Sequence, residues 1–492
     1  MQFYINDVMN DNLYIEDSFE IPSLNTEQET REIRGRDGFL LGDKKVKGYN
    51  FVIPFIYVNH EKKNYQDIVN EIVEHMITDD EVRLRFENEY WYWNVLFSGT
   101  IEFKQKTQGF ISFELNCIVI DPFKHSNELY NTVSQDDHLT LYNRGTAPTY
   151  PIFRATARKD STMLMVAKND EDYFMIGESE DTEKDTKELA PFKFNDEFNK
   201  QMFLGWNYTQ QEWSYGAGLD GGDADGGTFT FNNNSMHVKD WGSATATNYH
   251  GASVQKSIGE SLQDFSFMFK IGVRQTVDGS GKSFAYLYDE SNKLAFSIGY
   301  ANTATSRNMG AIVVNAYNTY GEAERIYTRH TDVRDKRLAD MSVFMKLQRR
   351  GQEIRIETYK FDEHGDSNRR RVRDSHTQIY HDTGDLYQNK VRIIHLYSSK
   401  SKNHSNFQRH FILGVYIQQL ITDDRAIPIT IRAGDVVVVD NQNQIVTIND
   451  EPVTHLKDFG ANYFDAPANV TEIFFTPEDT FDVQAEWRDR FY

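Results

Sequence analysis

The sequence predicts a mainly β protein of three modules with one helix, in which one module is set inside another. Three observations carry this. Short runs rich in Val, Ile, Phe, Tyr and Thr recur between turn residues along the whole chain, as in sandwiches and barrels. One stretch alone has helical periodicity. Two abrupt composition shifts, at Gly177–Leu189 and at Thr422–Ala426, divide the chain.

The first strands fall at Gly48–Val58 (FVIPFIYV at its core), Tyr90–Leu96 and Gly109–Ile120. Between them, Tyr65–Ile77 places Ile68, Val69, Ile72, Val73, Met76 and Ile77 on one stripe of a helix, with Asn64 as its N-cap. The first shift, GESEDTEKDTKEL, is charged and has no aromatic, so it reads as a linker or exposed loop. After it come strands at Phe265–Ile271, Leu294–Ile298, Ile354–Tyr359, Val391–Tyr397 and Phe411–Leu420. In Ile354–Tyr359, Ile354, Ile356 and Thr358 share one face and Arg355, Glu357 and Tyr359 the other. Val343–Tyr359 reads as two strands about Arg350-Gly351. Beyond TDDRA lie Ile427–Ile431, Val436–Asp440 and Val470–Phe475.

Composition sets the outer limits. At about 100–200 residues per domain, 492 residues make two to four domains. With 34 Phe and 27 Tyr there is ample material for a core. A net charge of −21 argues against a general nucleic-acid binder, which needs clustered cations to neutralise phosphates. The single cysteine, Cys117, excludes an intrachain disulfide or a multi-Cys zinc site and reads as a small buried hydrophobe. No stretch supplies the 18 or so apolar residues of a membrane helix, and MQFYINDVMN lacks a signal peptide's apolar segment. Synthesis in the cytoplasm without a signal peptide and without membrane insertion is the expectation.

Catalytic signatures are missing: there is no GxSxG elbow and no HExxH. Asp278–Ser283 (DGSGKS) ends like a phosphate-binding loop, but Thr276 stands where its first Gly belongs, so a Gly-rich hairpin turn is expected. Asp220, Asp223 and Asp225 in LDGGDADGG are oxygen ligands on a deformable loop and could bind calcium, although their spacing is not that of an EF-hand. Trp206, Trp213, Tyr215, Trp241 and Tyr249 cluster in the sequence near Asn232. Rings that stack on sugar C–H faces, beside amides that bind hydroxyls, make a candidate carbohydrate site; the plainer reading is that such rings are core. Residues 301–410 hold 20 Lys+Arg against 13 Asp+Glu, with Arg369, Arg370 and Arg371 in NRRRVR as a candidate anion-binding cluster.

Three segments resemble the distal tail protein of siphophages infecting Gram-positive bacteria. They are Ile33–Leu41 (IRGRDGFLL); Gly48–Val58 with the following helix and strands up to Pro122; and AGDVVVVD, IVTIND, Ala468–Phe475 and the terminal WRDRFY. The resemblance covers about 1–180 and 425–492. It implies a ring-forming belt domain over 1–130 and a galectin-like β-sandwich split between 131–184 and 425–492. Residues 185–424 are then an inserted concanavalin-like jelly roll, a carbohydrate-binding module. It further implies a homo-hexamer in the virion at the tail tip, contacting the tail tube protein, the tail-associated protein and a receptor-binding protein. The insert would bind host cell-wall polysaccharide or teichoic acid. The rival expectation is a virion-borne glycan hydrolase acting on the same wall, with carboxylates such as Glu357 and Glu353, or Asp362 and Glu363.

Overall fold

The computed structural model describes the chain except residues 23, 33, 35–36, 79–80, 108, 181–182, 199–204, 214–218, 233–234, 244–248, 275–278, 304–309, 332–337, 339, 364–370 and 404–406. It is nearly all β, with one α-helix among the described residues, and it forms two compact units. The first comprises Met1–Thr186 and Ile429–Tyr492, the second Lys187–Pro428.

In the first unit, the N-terminal part is built on a sheet centred on Tyr49–Val58 and Phe110–Val119, antiparallel from Phe110↔Val58 to Val119↔Tyr49. Strand alternation decides the faces: Ile53, Phe55 and Tyr57 enter the core, while Val52, Pro54 and Ile56 point away. The helix runs Tyr65–Met76, and the Asn64 side chain accepts from the Asp67 N–H at its start. Ile68, Ile72 and Met76 pack into the core. Val73 and Ile77, on the neighbouring row of the expected stripe, are exposed, because one i, i+4 row suffices to seat so short a helix. Cys117 is buried in the same core, and burial pushes its thiol up to about 12, so it behaves as a hydrophobe.

From this sheet a hairpin projects, Asn25–Glu32 against Phe39–Lys47, which pairs with no other strand among the described residues. Its turn contains Gly38 at φ +91°, a left-handed conformation that glycine adopts without cost.

The rest of the first unit is a sandwich of a six-stranded and a four-stranded sheet. Ile152–Ala157 lies between Val436–Asp440 and Phe481–Trp487, and His138–Asn143 pairs with Asn469–Thr476. Phe153, Leu164, Phe174, Val437, Ile473 and Val483 form the common core. The chain then ends by lacing into the N-terminal sheet: Arg490–Phe491 pairs with Lys124–Ser126, which pairs with Trp91–Ser98. Arg490 Nη2 contacts both Asp121 oxygens at 2.7 and 2.9 Å, and His125 Nε2 lies 3.1 Å from Asp121 Oδ2. Burial opposes ionisation of Asp121, but His125 and the Arg490 charge hold its carboxyl below the usual range.

The second unit is a sandwich of an eight-stranded and a nine-stranded sheet. Phe265, Phe267, Phe269 and Ile271 from one meet Ala285, Leu287, Phe296 and Ile298 from the other. Asp340–Arg350 and Glu353–Asp362 form the hairpin expected about Gly351, with Ile354 and Ile356 inward. The Gly-rich segment before Ser283 is not a hairpin turn. Phe265–Arg274 and Gly281–Tyr288 belong to different sheets, so the chain there crosses the sandwich. Arg349 is wholly buried, donating to the carbonyls of Gln263, Tyr387 and Asn389 at 2.8–2.9 Å. Burial brings its guanidinium down to about 10.

Candidate functional site

The chemistry-bearing side chains of the second unit gather on the outward face of its nine-stranded sheet. In Gly281–Tyr288, Ala285 and Leu287 face the sandwich core, so Phe284, Tyr286 and Tyr288 face the other way. By the same alternation Ser297, Asn315, His395 and Tyr397 join them from Leu294–Asn302, Gly310–Tyr317 and Val391–Ser401. Such a face is ordinarily wet on one side, but here it is covered.

The cover is a strap formed by the sheet's own edge strands, Gln211–Trp213 antiparallel to Gly222–Ala224, which pairs with Tyr249–Leu262 through Asp223↔His250. Trp213 stacks on Tyr286 with centroids 4.4 Å apart and rings 7° from parallel. Its indole donates to the Tyr288 hydroxyl at 2.7 Å. The Tyr397 hydroxyl accepts from the Asp223 N–H at 3.0 Å and lies 3.2 Å from the Asp223 carbonyl. Gly222 is required at this approach, because a Cβ there would stand 2.2 Å from Tyr397 Oη.

Asp220 is the buried carboxylate of the face. Its Oδ2 accepts from Ser297 Oγ at 2.7 Å and from the Tyr317 hydroxyl, and its carbonyl accepts from the Tyr286 hydroxyl. Lys282 Nζ donates to the Gly221 carbonyl at 3.0 Å and sits 3.8 Å above the Tyr249 ring. Burial brings the Lys282 ammonium down to about 7 against the pull of Asp220, and pushes His395 down to about 4. Burial also raises Tyr288 to about 12. The result is a stacked, hydrogen-bonded aromatic face closed by the chain's own tryptophan.

The structure thus brings Trp213, Tyr249, Asp220 and Asp223 together and separates the other expected site residues. Trp213 and Tyr249 are buried, so neither presents a ring face to a sugar as the strap stands. Trp206 is buried in the sandwich core, its indole donating to Asp196 Oδ2 at 2.8 Å. Its proximity to Trp213 in sequence is not proximity of environment. Asn232 is exposed, ending Thr228–Asn232, and its Oδ1 accepts from Ser235 at 2.8 Å. Trp241 is half-buried against Phe407 at 5.0 Å, with Lys400 Nζ 5.4 Å above its ring. Tyr215, Arg369 and Arg370 lie outside the described residues, as does the Arg371 side chain.

The three aspartates do not assemble into a calcium site. Asp220 turns to hydroxyls, Asp223 sits in a strand, and half-buried Asp225 accepts at its carbonyl from Ser243 N–H. Among the described residues there is no group of three or more His, Cys, Asp or Glu that could hold a metal. The acids of the hydrolase reading are engaged as well. Glu357 is buried 2.7 Å from Arg355 Nε, and Asp362 is 3.0 Å from Arg373 Nη2. Tyr286, Ser297 and Tyr397 were not singled out in the sequence, and Lys282 was read only as part of DGSGKS; for the two tyrosines the available signal was the alternation in SFAYLY and HLYSS.

Residues 9–119 match the family model of the phage tail protein RIFT-related domain. No curated protein matches the chain. Solved structures similar to it include the CBM2 module of the evolved Dit of Lactobacillus casei BL23 phage J-1. That match has 13% identity and a TM-score of 0.39, over 48% of this chain and 99% of that one. The Dit protein of SPP1, described as a paradigm of hub adsorption apparatus in phages infecting Gram-positive bacteria, is 15% identical. Its TM-score is 0.31 over 36% of this chain and 74% of that one. A laminarinase from Flavobacterium sp. UMI-01 matches at 8% identity and TM-score 0.32, over 46% of this chain and 100% of that one. Over residues 9–119 the resemblance to phage tail proteins read from the sequence agrees with the family-model match.

Proposed function

We propose, taking a phage-tail N-terminal domain as the premise, that this chain is the hub of a siphophage tail tip. Its N-terminal domain forms the belt of a hexameric ring between the tail tube protein and the tail-associated protein. The observation that carries this is the family match over 9–119. The lacing of the chain's last strand into that same domain supports it, since it ties the sandwich to the belt. Native mass measurement of the full chain tests the ring: six-copy particles are expected, and a species that stays monomeric at every concentration refutes it.

The second unit, by this reading, binds host cell-wall glycan during adsorption, polysaccharide or teichoic acid, as a module repeated six times per ring. Weak sites in parallel gain through effective concentration, so a weak individual site suffices. Half-buried Trp241, with Lys400 above it, is the predicted aromatic that retains ring surface, and a cation beside a ring suits an anionic sugar polymer. Labelled full-length protein should decorate host cells, and Trp241→Ala should weaken that binding. Incubation with purified wall polysaccharide should release no new reducing ends; sustained release would favour the hydrolase.

A further inference from the structure

At one end of the second unit, cations gather on the outward face of the eight-stranded sheet. Phe267, Phe269, Ile271 and Val273 enter the core, so Gly272 and Arg274 face out. On the neighbouring strand Ile412 enters the core, so Phe411 and Arg409 face out beside them, in the register Gly272↔Phe411 and Arg274↔Arg409. Ser235–Asp240 joins the other side of that strand through Met236↔Ile412. This sets His237 against Phe411, with ring centroids 5.5 Å apart. Lys239 is exposed and shares the His237 face.

Like charges directly opposite one another destabilise a strand pair, and Arg274 and Arg409 stand in that relation. Asp340 lies on the other side of Arg274, away from Arg409. Two buried nitrogens in the cluster, Arg274 Nη1 and His237 Nδ1, have no hydrogen-bond partner among the described residues, although such groups are ordinarily satisfied. Gly272 forms the floor: a Cβ there would stand 3.9 Å from Arg274 Nη1 and 3.7 Å from Phe411 Cβ. The Arg274 guanidinium lies 5.7 Å from the Phe411 ring centroid. Burial, and after it the Arg409 charge, holds the His237 imidazole below its usual value, so Arg409 acts on His237 as well as on Arg274.

We infer that Arg274, Arg409 and His237 hold a phosphate group of a phosphodiester-linked wall polymer. This deepens the glycan reading above and rests on it. A bound anion relieves the repulsion between the two arginines and gives both orphaned nitrogens a partner. Guanidinium forks match phosphate oxygens, and two of them on neighbouring strands, with Cβ atoms about 4.5–5.5 Å apart, grip one phosphodiester from the same side. The aromatic proposed for the sugar is close by in the chain. Trp241 follows Lys239 by two residues, and its ring neighbour Phe407 precedes Arg409 by two. A sugar seated on Trp241 thus brings its phosphate linkage toward the arginines.

The test titrates the full chain with poly(glycerol phosphate) in a calorimeter. Arg274→Gln together with Arg409→Gln should weaken binding about tenfold or more, as loss of charge-assisted hydrogen bonds does. Lys293→Gln together with Arg350→Gln removes the same charge from exposed positions elsewhere in the unit and should change binding by less than about twofold. Arg409→Gln alone should leave the unfolding temperature unchanged or raise it, because it ends a like-charge pair; a lowered temperature assigns the pair to structure and overturns the site. Inorganic phosphate should compete with the polymer on the wild type, which marks phosphate and not glycerol as the group held; failure to compete overturns that assignment. Polygalacturonate, whose charges are carboxylates, should bind more weakly, and equal binding overturns the choice of phosphate. A double variant that binds the polymer as the wild type does overturns the site, as does a wild type that binds wall polysaccharide but not poly(glycerol phosphate); the glycan reading stands in both cases. A wild type that binds neither removes both.

Discussion

Arg349 shows how much one side chain organises. It is buried with no carboxylate hydrogen-bonded to it among the described residues, and it carries its charge by donating to carbonyls of two segments, Leu262 and Gln263 on one and Tyr387 and Asn389 on the other. Arg349→Ala strands those acceptors at about 1–3 kcal/mol each, so a loss of about 3 kcal/mol or more and a lower unfolding temperature are expected. Lysine at 349 should fail too, because a compact ammonium cannot span the same fork. Lys282 makes a prediction in pH. Its ammonium is held down to about 7 from the ordinary 10.5, so between those values the unfolded chain binds the extra proton. Stability should therefore rise as pH rises from about 7 to about 10.5, and Lys282→Met should flatten that segment of a melting-temperature profile. His395 acts in another window. Held at about 4 against the ordinary 6.5, it should make stability fall as pH drops from about 6.5 to about 4.

At the scale of elements, the strap over the nine-stranded sheet is the part most open to perturbation. Gly222→Ala forces a Cβ into the Tyr397 hydroxyl, and the stacked Trp213 must then leave Tyr286. A red-shifted tryptophan emission with the sandwich still folded is the expected outcome; an unchanged spectrum would mean that the strap yields without unstacking. What the sequence disclosed at this scale was local. The helix was legible because its apolar spacing and its Asn64 cap lie within a dozen residues. The hairpin about Gly351 was legible because Ile354 and Ile356 alternate with charged neighbours. The strap was not, because Trp213 is positioned by Tyr286 and Tyr397, far along the chain. Trp206 and Trp213 look alike in sequence; only the tertiary fold sends one between the two sheets and the other onto the outside of one. The Gly-rich run before Ser283 misled for a related reason, since a turn within a sheet and a crossing between sheets use the same residues.

For the whole molecule, the last residues matter beyond their number. Arg490→Ala removes the guanidinium whose Nη2 reaches both Asp121 oxygens and leaves a partly buried carboxylate beside His125. Breaking such a pair costs up to about 3–5 kcal/mol where it is fully buried and less where Asp121 is partly exposed. Hydrogen exchange should report the change first at Lys124–Ser126 and Trp91–Ser98, the strands to which the terminus is laced. Protection lost instead across the second unit would show that the terminus stabilises the chain by another route.

The nesting of Lys187–Pro428 within the other unit has a consequence for the order of events at the ribosome. Ile152–Ala157 emerges early, yet both strands that flank it, Val436–Asp440 and Phe481–Trp487, are among the last to be made. At about 5–20 residues per second, some 300 intervening residues keep that strand waiting roughly 15–60 s. During that interval the inserted sandwich can close on itself, because its strands pair with one another. The inner module can then be finished before the sheet around Ile152–Ala157 is completed.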